Sequence, residues 1–144
     1  MKRVYVNEKW CLGCHLCEYY CAFADSGESD MARALKGIKI NPRINIEEHN
    51  GISFAVSCRH CQEPLCVKGC ITGALNVMEG VVSIDAAKCV GCYTCIMNCP
   101  FGAVSPAEDA AVQKCELCVK TLAGTPACVS GCPNNAIVFE ERER

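Results

Sequence analysis

The chain has 144 residues, a formal net charge of −2 and sixteen cysteines. A cysteine content of about 11% exceeds the level that usually marks a disulfide scaffold in a secreted chain. However, the first ten residues lack the apolar core of a signal peptide, and no stretch reaches the ~18 apolar residues that span a bilayer. We therefore expect one soluble, cytoplasmic domain with no direct membrane insertion. The absence of a basic patch argues against nucleic acid as a partner.

The cysteines fall into four groups of four. Their members are Cys11, Cys14, Cys17 and Cys21 in group one; Cys58, Cys61, Cys66 and Cys70 in group two; Cys89, Cys92, Cys95 and Cys99 in group three; and Cys115, Cys118, Cys128 and Cys132 in group four. Groups one and three read C-x2-C-x2-C-x3-C, the run of bacterial two-cluster ferredoxins. A zinc site would need its four ligands as two pairs of cysteines, yet groups one and three each add a third cysteine at the same short spacing, which argues against zinc. The spacing predicts ligands for four [4Fe–4S] clusters.

The elements before group two are short. They are a strand at residues 4–6, a loop at 25–30, a helical turn at 31–36 ending at Gly37, and a hairpin of residues 44–47 with 52–56. Asn50 and Gly51 favour a tight turn in this hairpin. The segment 22–57 carries no recognisable chemistry, and we expect it either to cover the neighbouring clusters or to contact a partner.

A second hairpin is predicted between groups two and three. Residues 74–78 and 81–85 are apolar runs on either side of Glu79 and Gly80. Such a hairpin connects the two motifs of a bacterial ferredoxin, so groups two and three would form one two-cluster unit. Groups one and four would form the other unit, closed by pairing of residues 4–6 with 137–139. Each fourth cysteine is expected on a short helical turn.

The predicted fold class is therefore α+β, with short helices and β-hairpins. It comprises two bacterial-ferredoxin-like units, one nested inside the other. The outer unit would contain residues 1–57 and 104–144, and the inserted unit residues 58–103. Each unit is too small for a generous hydrophobic core, so iron–thiolate bonds would replace that core and the apo-protein would not fold.

In the two-cluster motif, the fourth cysteine of one run ligates the other cluster. The predicted sets are Cys11, Cys14 and Cys17 with Cys132; Cys115, Cys118 and Cys128 with Cys21; Cys58, Cys61 and Cys66 with Cys99; and Cys89, Cys92 and Cys95 with Cys70. Every iron corner then receives a thiolate, so no open position remains for a substrate. The chain also has no GxGxxG run and no P-loop. We expect no catalytic residues.

Two histidines, His15 and His60, lie inside cysteine loops, whereas His49 is typical of a surface turn. Histidine replaces cysteine at some clusters. Because each group already has four cysteines, we do not expect histidine to bind iron. The alternative is that a histidine adjusts the potential of a cluster through a hydrogen bond.

The runs CRHCQEPLC at residues 58–66 and KCELCVKTLAGTPACVSGCP at residues 114–133 resemble a known family. Its members are the four-cluster, ferredoxin-type electron-transfer subunits of molybdopterin oxidoreductases, formate dehydrogenases, hydrogenases and carbon monoxide dehydrogenases. The resemblance covers nearly the whole chain, which departs from the pattern by lacking proline after Cys21 and Cys70. Residues 8–24 are most similar to the subunits that serve carbon monoxide dehydrogenase.

The resemblance implies a relay of electrons between a redox enzyme and an acceptor such as a flavoprotein or a ferredoxin. The enzyme would be carbon monoxide dehydrogenase, with a hydrogenase, a formate dehydrogenase or a tungsten aldehyde oxidoreductase as alternatives. A function of another class is a maturation or scaffold protein that donates clusters to an apo-target. That function requires labile clusters, whereas four-thiolate sites hold clusters firmly.

Overall fold

Short helices and antiparallel strand pairs make up this protein, as the predicted α+β class requires. The computed structural model describes residues 1–37, 40–108, 110–120 and 124–142. The strands are β1 (Arg3–Val6), β2 (Asn45–His49), β3 (Ile52–Val56), β4 (Leu75–Met78), β5 (Val81–Ile84), β6 (Val104–Pro106), β7 (Val112–Lys114) and β8 (Ile137–Glu140). The helices are α1 (Leu16–Ser26), α2 (Met31–Ala34), α3 (Leu65–Lys68), α4 (Thr94–Asn98) and α5 (Ala127–Ser130). Within the described ranges, none of these helices has the length and apolar character to cross a membrane.

The chain divides into two compact units. The first unit contains Met1–Val56 and Leu117–Arg144, and the second contains Ser57–Glu116. In the first unit β1 pairs with β8 and β2 with β3; in the second unit β4 pairs with β5 and β6 with β7. Val4 lies opposite Phe139 in the β1–β8 pair. The predicted pairing of the strands that flank groups one and four is therefore confirmed.

The two predicted hairpins are also confirmed, because their turns have the required backbone conformation. The central residues have positive φ, with 51° at Asn50, 75° at Gly51, 50° at Glu79 and 81° at Gly80. Left-handed conformations at both central positions match the right-handed twist of the flanking strands. The register follows from these turns: His49 pairs with Ile52, and Met78 pairs with Val81.

Two local predictions need correction, and one hairpin was not predicted. The loop at residues 25–30 is partly wrong, because α1 continues to Ser26 and stops at Gly27, whose φ is 71°. Ala22 follows Cys21, so no proline ends this helix, whereas Pro100 follows the end of α4. The helical turns of groups two, three and four carry the third cysteine, and the fourth cysteine follows the helix. The β6–β7 hairpin was not predicted, and it lies in the second unit.

In each unit two helices that carry cysteines pack closely together, α1 with α5 in the first unit and α3 with α4 in the second. A Cβ placed on Gly131 at the end of α5 would lie 2.4 Å from the Tyr20 ring of α1. A Cβ placed on Gly69 at the end of α3 would lie 2.1 Å from the Asn98 side-chain nitrogen of α4. Both glycines have negative φ, −85° and −88°. The contact between helices, and not the backbone conformation, therefore favours glycine at these positions, most strongly at Gly131, where the neighbour is a ring close to its own backbone.

Cysteines belong to the core of the second unit. The buried side chains are Leu75, Val82, Cys95, Val104 and Val112, and the half-buried Cys66, Cys70, Cys89 and Cys99 pack against them. The four aliphatic residues come from the strands β4, β5, β6 and β7. Both hairpins therefore pack their apolar faces against the helices that carry the thiols, which positions the cysteines at the centre of the unit.

We expect the variant Gly131→Ala to lower the free energy of unfolding of the iron-loaded protein by about 1–3 kcal/mol, because the new methyl group overpacks the helix contact. The Tyr20 ring atoms that it meets are near the backbone and cannot swing away. Gly69→Ala is the matched control, since its methyl group meets the mobile end of the Asn98 amide. Thermal unfolding followed by circular dichroism measures both variants. Equal destabilisation by the two alanines would contradict the role assigned to Tyr20.

Candidate metal centres

Groups one and three share one local backbone conformation. Each follows a 3-10 turn whose preceding side chain, Asn7 or Asp85, accepts a hydrogen bond from a turn N–H, at 3.2 Å and 3.1 Å respectively. The loop then turns left-handed twice, with φ values of 63° at Gly13, 60° at His15, 71° at Gly91 and 57° at Tyr93. The polar cap four residues before the first cysteine is a signal that the sequence analysis missed.

The first unit contains an open cavity that is lined by four thiols, with about 320 Å³ of empty space that includes adjoining solvent. These thiols are Cys11, Cys14, Cys17 and Cys132. Apolar side chains, among them Leu12, Ile46 and Ile137, form the rest of its wall. Three of the cysteines come from group one and the fourth comes from group four.

The second unit contains a similar open cavity, with about 330 Å³ of empty space that includes adjoining solvent. Its thiols are Cys70, Cys89, Cys92 and Cys95. Leu75, Ile84 and Val112 provide apolar wall. In this cavity three cysteines come from group three and the fourth comes from group two. Both cavities therefore combine the first three thiols of one group with the last thiol of another.

These cavities fit a metal–sulfur cluster better than a single ion. A structural zinc ion lies about 2.3 Å from four ligand atoms and leaves no cavity among them. Among residues 1–37, 40–108, 110–120 and 124–142, no three Cys, His, Asp or Glu side chains converge on a single-ion site. The cysteine donors of both cavities are soft thiols, the ligands that iron–sulfur clusters use.

The other cysteines interact electrostatically in the same crossed pattern. Burial raises the pKa of the Cys58 and Cys66 thiols, and the charge of Cys99 raises both further. Burial also raises the pKa of Cys21, and Cys118 adds to that increase. Because such effects act between nearby groups, Cys99 lies near group two, and Cys21 lies near Cys118 of group four.

Three cysteines remain. Cys128 is buried in the first unit and Cys115 in the second, whereas Cys61 is half-buried in the second unit, where its charge adds to the raised pKa of Cys58. None of the three lines the two cavities described above.

The protein environment opposes ionisation of the most buried thiols. Burial raises the pKa of Cys17 to about 12 and raises that of Cys95 as well. Hydrogen bonds act the other way at the cavity rim of the second unit: the Leu75 N–H lowers the pKa of Cys70, and the Thr94 side chain lowers that of Cys92. Since the thiolate is the ligand form, a bound cation has to displace protons from the buried thiols.

The segment between groups one and two, to which the sequence assigns no chemistry, contacts the ligand region of the first unit. The Arg43 N–H donates to Cys21 Sγ at 3.3 Å, and the Ile46 N–H donates to Glu18 Oε1 of α1 at 2.6 Å. In the second unit the Ala103 N–H donates to Cys99 Sγ at 3.4 Å. Hydrogen bonds to ligand sulfurs raise or lower the potential of a cluster. Residues 43–46 therefore contact Cys21 and helix α1, and Ile46 forms part of the cavity wall.

The two histidines in cysteine loops bind protein groups through Nδ1. His15 Nδ1 lies 2.7 Å from Glu18 Oε2 at the start of α1. The buried His60 accepts a hydrogen bond from the Val82 N–H at 3.1 Å. A ring nitrogen that accepts is unprotonated, so His60 is neutral and carries its proton on Nε2.

Comparisons with known proteins agree with this site chemistry. Residues 50–142 match the family model described as a 4Fe-4S dicluster domain. An iron-sulfur protein of Rhodospirillum rubrum is 37% identical, over 93% of this chain and 79% of the relative. Electron transport protein HydN of Escherichia coli (strain K12) is 33% identical, over 93% and 85%. The formate dehydrogenase iron-sulfur subunit of Haemophilus influenzae is 35% identical over 96% of this chain, which spans about half of that relative (51%).

The family model describes 4Fe-4S domains, and cysteine thiolates are the usual ligands of such clusters. The sixteen cysteines are enough for four clusters with four ligands each. The chain belongs to the 4Fe-4S dicluster-domain family and binds four [4Fe–4S] clusters through its cysteines.

Proposed function

We propose that this chain is a non-catalytic electron-transfer subunit, which relays electrons through its four clusters between a redox enzyme and an acceptor. The observation that carries the proposal is that four thiols line each of the two cavities. Four thiolates occupy every iron corner of a cubane and leave none for a substrate. When bound, each cluster supplies one-electron transfer at a potential that its surroundings determine. The relative named as an electron transport protein supports the same function.

The proposal includes four crossed ligand sets. They are Cys11, Cys14, Cys17 with Cys132; Cys89, Cys92, Cys95 with Cys70; Cys58, Cys61, Cys66 with Cys99; and Cys115, Cys118, Cys128 with Cys21. The cavities support the first two sets, and the effects of neighbouring thiols on pKa support the other two. Groups one and four would form an outer two-cluster unit, predicted as residues 1–57 and 104–144, into which the predicted unit of residues 58–103 is inserted. By their packing, residues 104–116 belong to the second compact unit.

Two cysteines mark where electrons would enter and leave. Of the sixteen cysteines, all of which the structure describes, Cys14 and Cys92 are exposed. Leu12 and Val90 occupy the same position in the two repeated loops, and each is 66% exposed. An apolar partner surface seated on these side chains would exclude water and approach the cluster edge closely, which favours electron exchange.

For the enzyme partner we propose carbon monoxide dehydrogenase, because residues 8–24 are most similar to its subunits. The Haemophilus influenzae relative, named as a formate dehydrogenase iron-sulfur subunit, supports formate dehydrogenase as a second candidate. To distinguish the two candidates, the iron-loaded chain is mixed with each purified enzyme and the substrate of that enzyme, and reduction of the clusters is measured. A hydrogenase and a tungsten aldehyde oxidoreductase are tested in the same way. The true partner should bleach the cluster absorbance fastest, and equal rates with all four enzymes would contradict a dedicated partner.

The loaded protein should contain about sixteen iron atoms and about sixteen sulfides per chain, because each cubane holds four of each. Metal and acid-labile sulfide analysis of anaerobically purified protein measures both. Dithionite should reduce the clusters reversibly, without transfer of iron to an added apo-ferredoxin. Stoichiometric zinc with little sulfide would refute the proposed function, and rapid cluster transfer would favour the scaffold function.

The crossed ligand sets predict which variants share a phenotype. Cys132→Ser should alter the same electron paramagnetic resonance signal and midpoint potential as Cys14→Ser, because both residues line one cavity. Cys118→Ser is the matched control: it belongs to the same group as Cys132 by sequence, but it should alter a different signal. Redox titrations followed by electron paramagnetic resonance measure all three. The crossed sets are wrong if Cys132→Ser reproduces the signal of Cys118→Ser.

A further inference from the structure

Buried side chains bind one edge of β5. The opposite edge of this strand pairs with β4. On the edge that does not pair with β4, His60 Nδ1 accepts a hydrogen bond from the Val82 N–H at 3.1 Å, and Glu116 Oε1 accepts one from the Ile84 N–H at 2.8 Å. Lys114 Nζ donates to the Val82 carbonyl between them. His60, Lys114 and Glu116 are all buried.

Lys114 stands out in this arrangement, because its side chain is only 1% exposed. Its Nζ also donates to the Cys115 carbonyl at 2.6 Å, so two backbone carbonyls satisfy two of its three donors. Lysine is almost never fully buried unless it is paired, because an isolated ammonium is strongly disfavoured in an apolar interior. A nearby negative charge is therefore required to offset the burial of this ammonium.

The buried Glu116 on the same strand edge and the cysteines of group two are the acidic groups near this ammonium. The positive charge of Lys114 lowers the pKa of Cys58, against the larger effect of burial, and it does the same at Cys66. Val82, which Lys114 contacts, also binds His60, and His60 lies between Cys58 and Cys61 in the chain. The contacts and the charges thus place Lys114 beside one ligand set.

We propose that the positive charge of Lys114 raises the reduction potential of the cluster bound by Cys58, Cys61, Cys66 and Cys99. A cubane with four thiolates is negatively charged, and reduction adds one further negative charge. A fixed positive charge therefore stabilises the reduced state more than the oxidised state, and the low dielectric of a buried site strengthens this effect. The inference rests on the ligand set proposed above.

Lys88 provides a matched control. It directly precedes the first cysteine of its group, Cys89, as Lys114 precedes Cys115. Its side chain, however, is 62% exposed, and its Nζ lies 3.5 Å from an Asp85 carboxylate oxygen. Solvent and ions screen an exposed charge, so neutralising Lys88 should leave the clusters unaffected.

The experiment compares Lys114→Gln, Lys114→Arg and Lys88→Gln with the unaltered protein, each loaded with iron and sulfide. Glutamine keeps hydrogen-bond donors but removes the charge, whereas arginine keeps both. Redox titration followed by electron paramagnetic resonance measures the midpoint potential of each cluster. Cys61→Ser identifies the relevant signal, since Cys61 belongs to the same set whether or not the fourth ligands are crossed.

We expect Lys114→Gln to shift that one midpoint potential to a more negative value, with unchanged iron content. Lys114→Arg should stay close to the unaltered protein, and Lys88→Gln should match it. A fully loaded Lys114→Gln with unchanged potentials overturns the proposal. Loss of iron from Lys114→Gln while Lys114→Arg remains loaded also overturns it, because the residue would then be structural.

Failure of the proposed function looks different from failure of this inference. If the unaltered protein itself lacks four reducible clusters, the proposed function fails before any variant is compared. If it has them but Lys114→Gln shifts a signal other than the one altered by Cys61→Ser, the inference about Lys114 fails and the electron-transfer function stands.

Discussion

The close contact between two helices in each unit is the constraint on which the cluster sites depend. A cubane needs four thiolates, but one cysteine loop brings only three to its cavity. The fourth thiol, Cys132 or Cys70, directly follows a glycine that lets the neighbouring helix approach. A bulkier residue at Gly131 would press against the Tyr20 ring, hold the helices apart and carry Cys132 away from its cavity. At Gly69 the Asn98 amide can move aside, so the second unit tolerates a larger residue there better.

Burial and ligation oppose each other at these sites, and iron resolves the conflict. The same apolar packing that shields Cys17 and Cys95 from water disfavours their thiolate forms. Iron binds the thiolate strongly enough to displace the proton, so metal binding, and not the protein environment, drives ionisation of these buried thiols. The hydrogen bonds from Arg43 to Cys21 and from Ala103 to Cys99 then act on sulfurs that already bear negative charge.

Features that depend on local chemistry could be predicted from the sequence, and features that depend on tertiary contacts could not. The hairpin turns at Asn50–Gly51 and Glu79–Gly80 follow from residues that tolerate positive φ. The cysteine spacing alone indicates the cluster chemistry. In contrast, the need for glycine at position 131 appears only once Tyr20 is known to lie against it. Lys114 reads as a surface residue in any sequence pattern, and only the three-dimensional structure shows that it is buried.

The pairing of β1 with β8 has a consequence for synthesis on the ribosome. The second unit is continuous in the chain, from Ser57 to Glu116, and it can fold as soon as these residues have emerged. The first unit must wait for Ile137–Glu140, because β1 has no other strand partner among the described residues. During that interval the group one thiols lack Cys132 and are open to oxidation. Vectorial synthesis therefore favours cluster insertion into the second unit before the first.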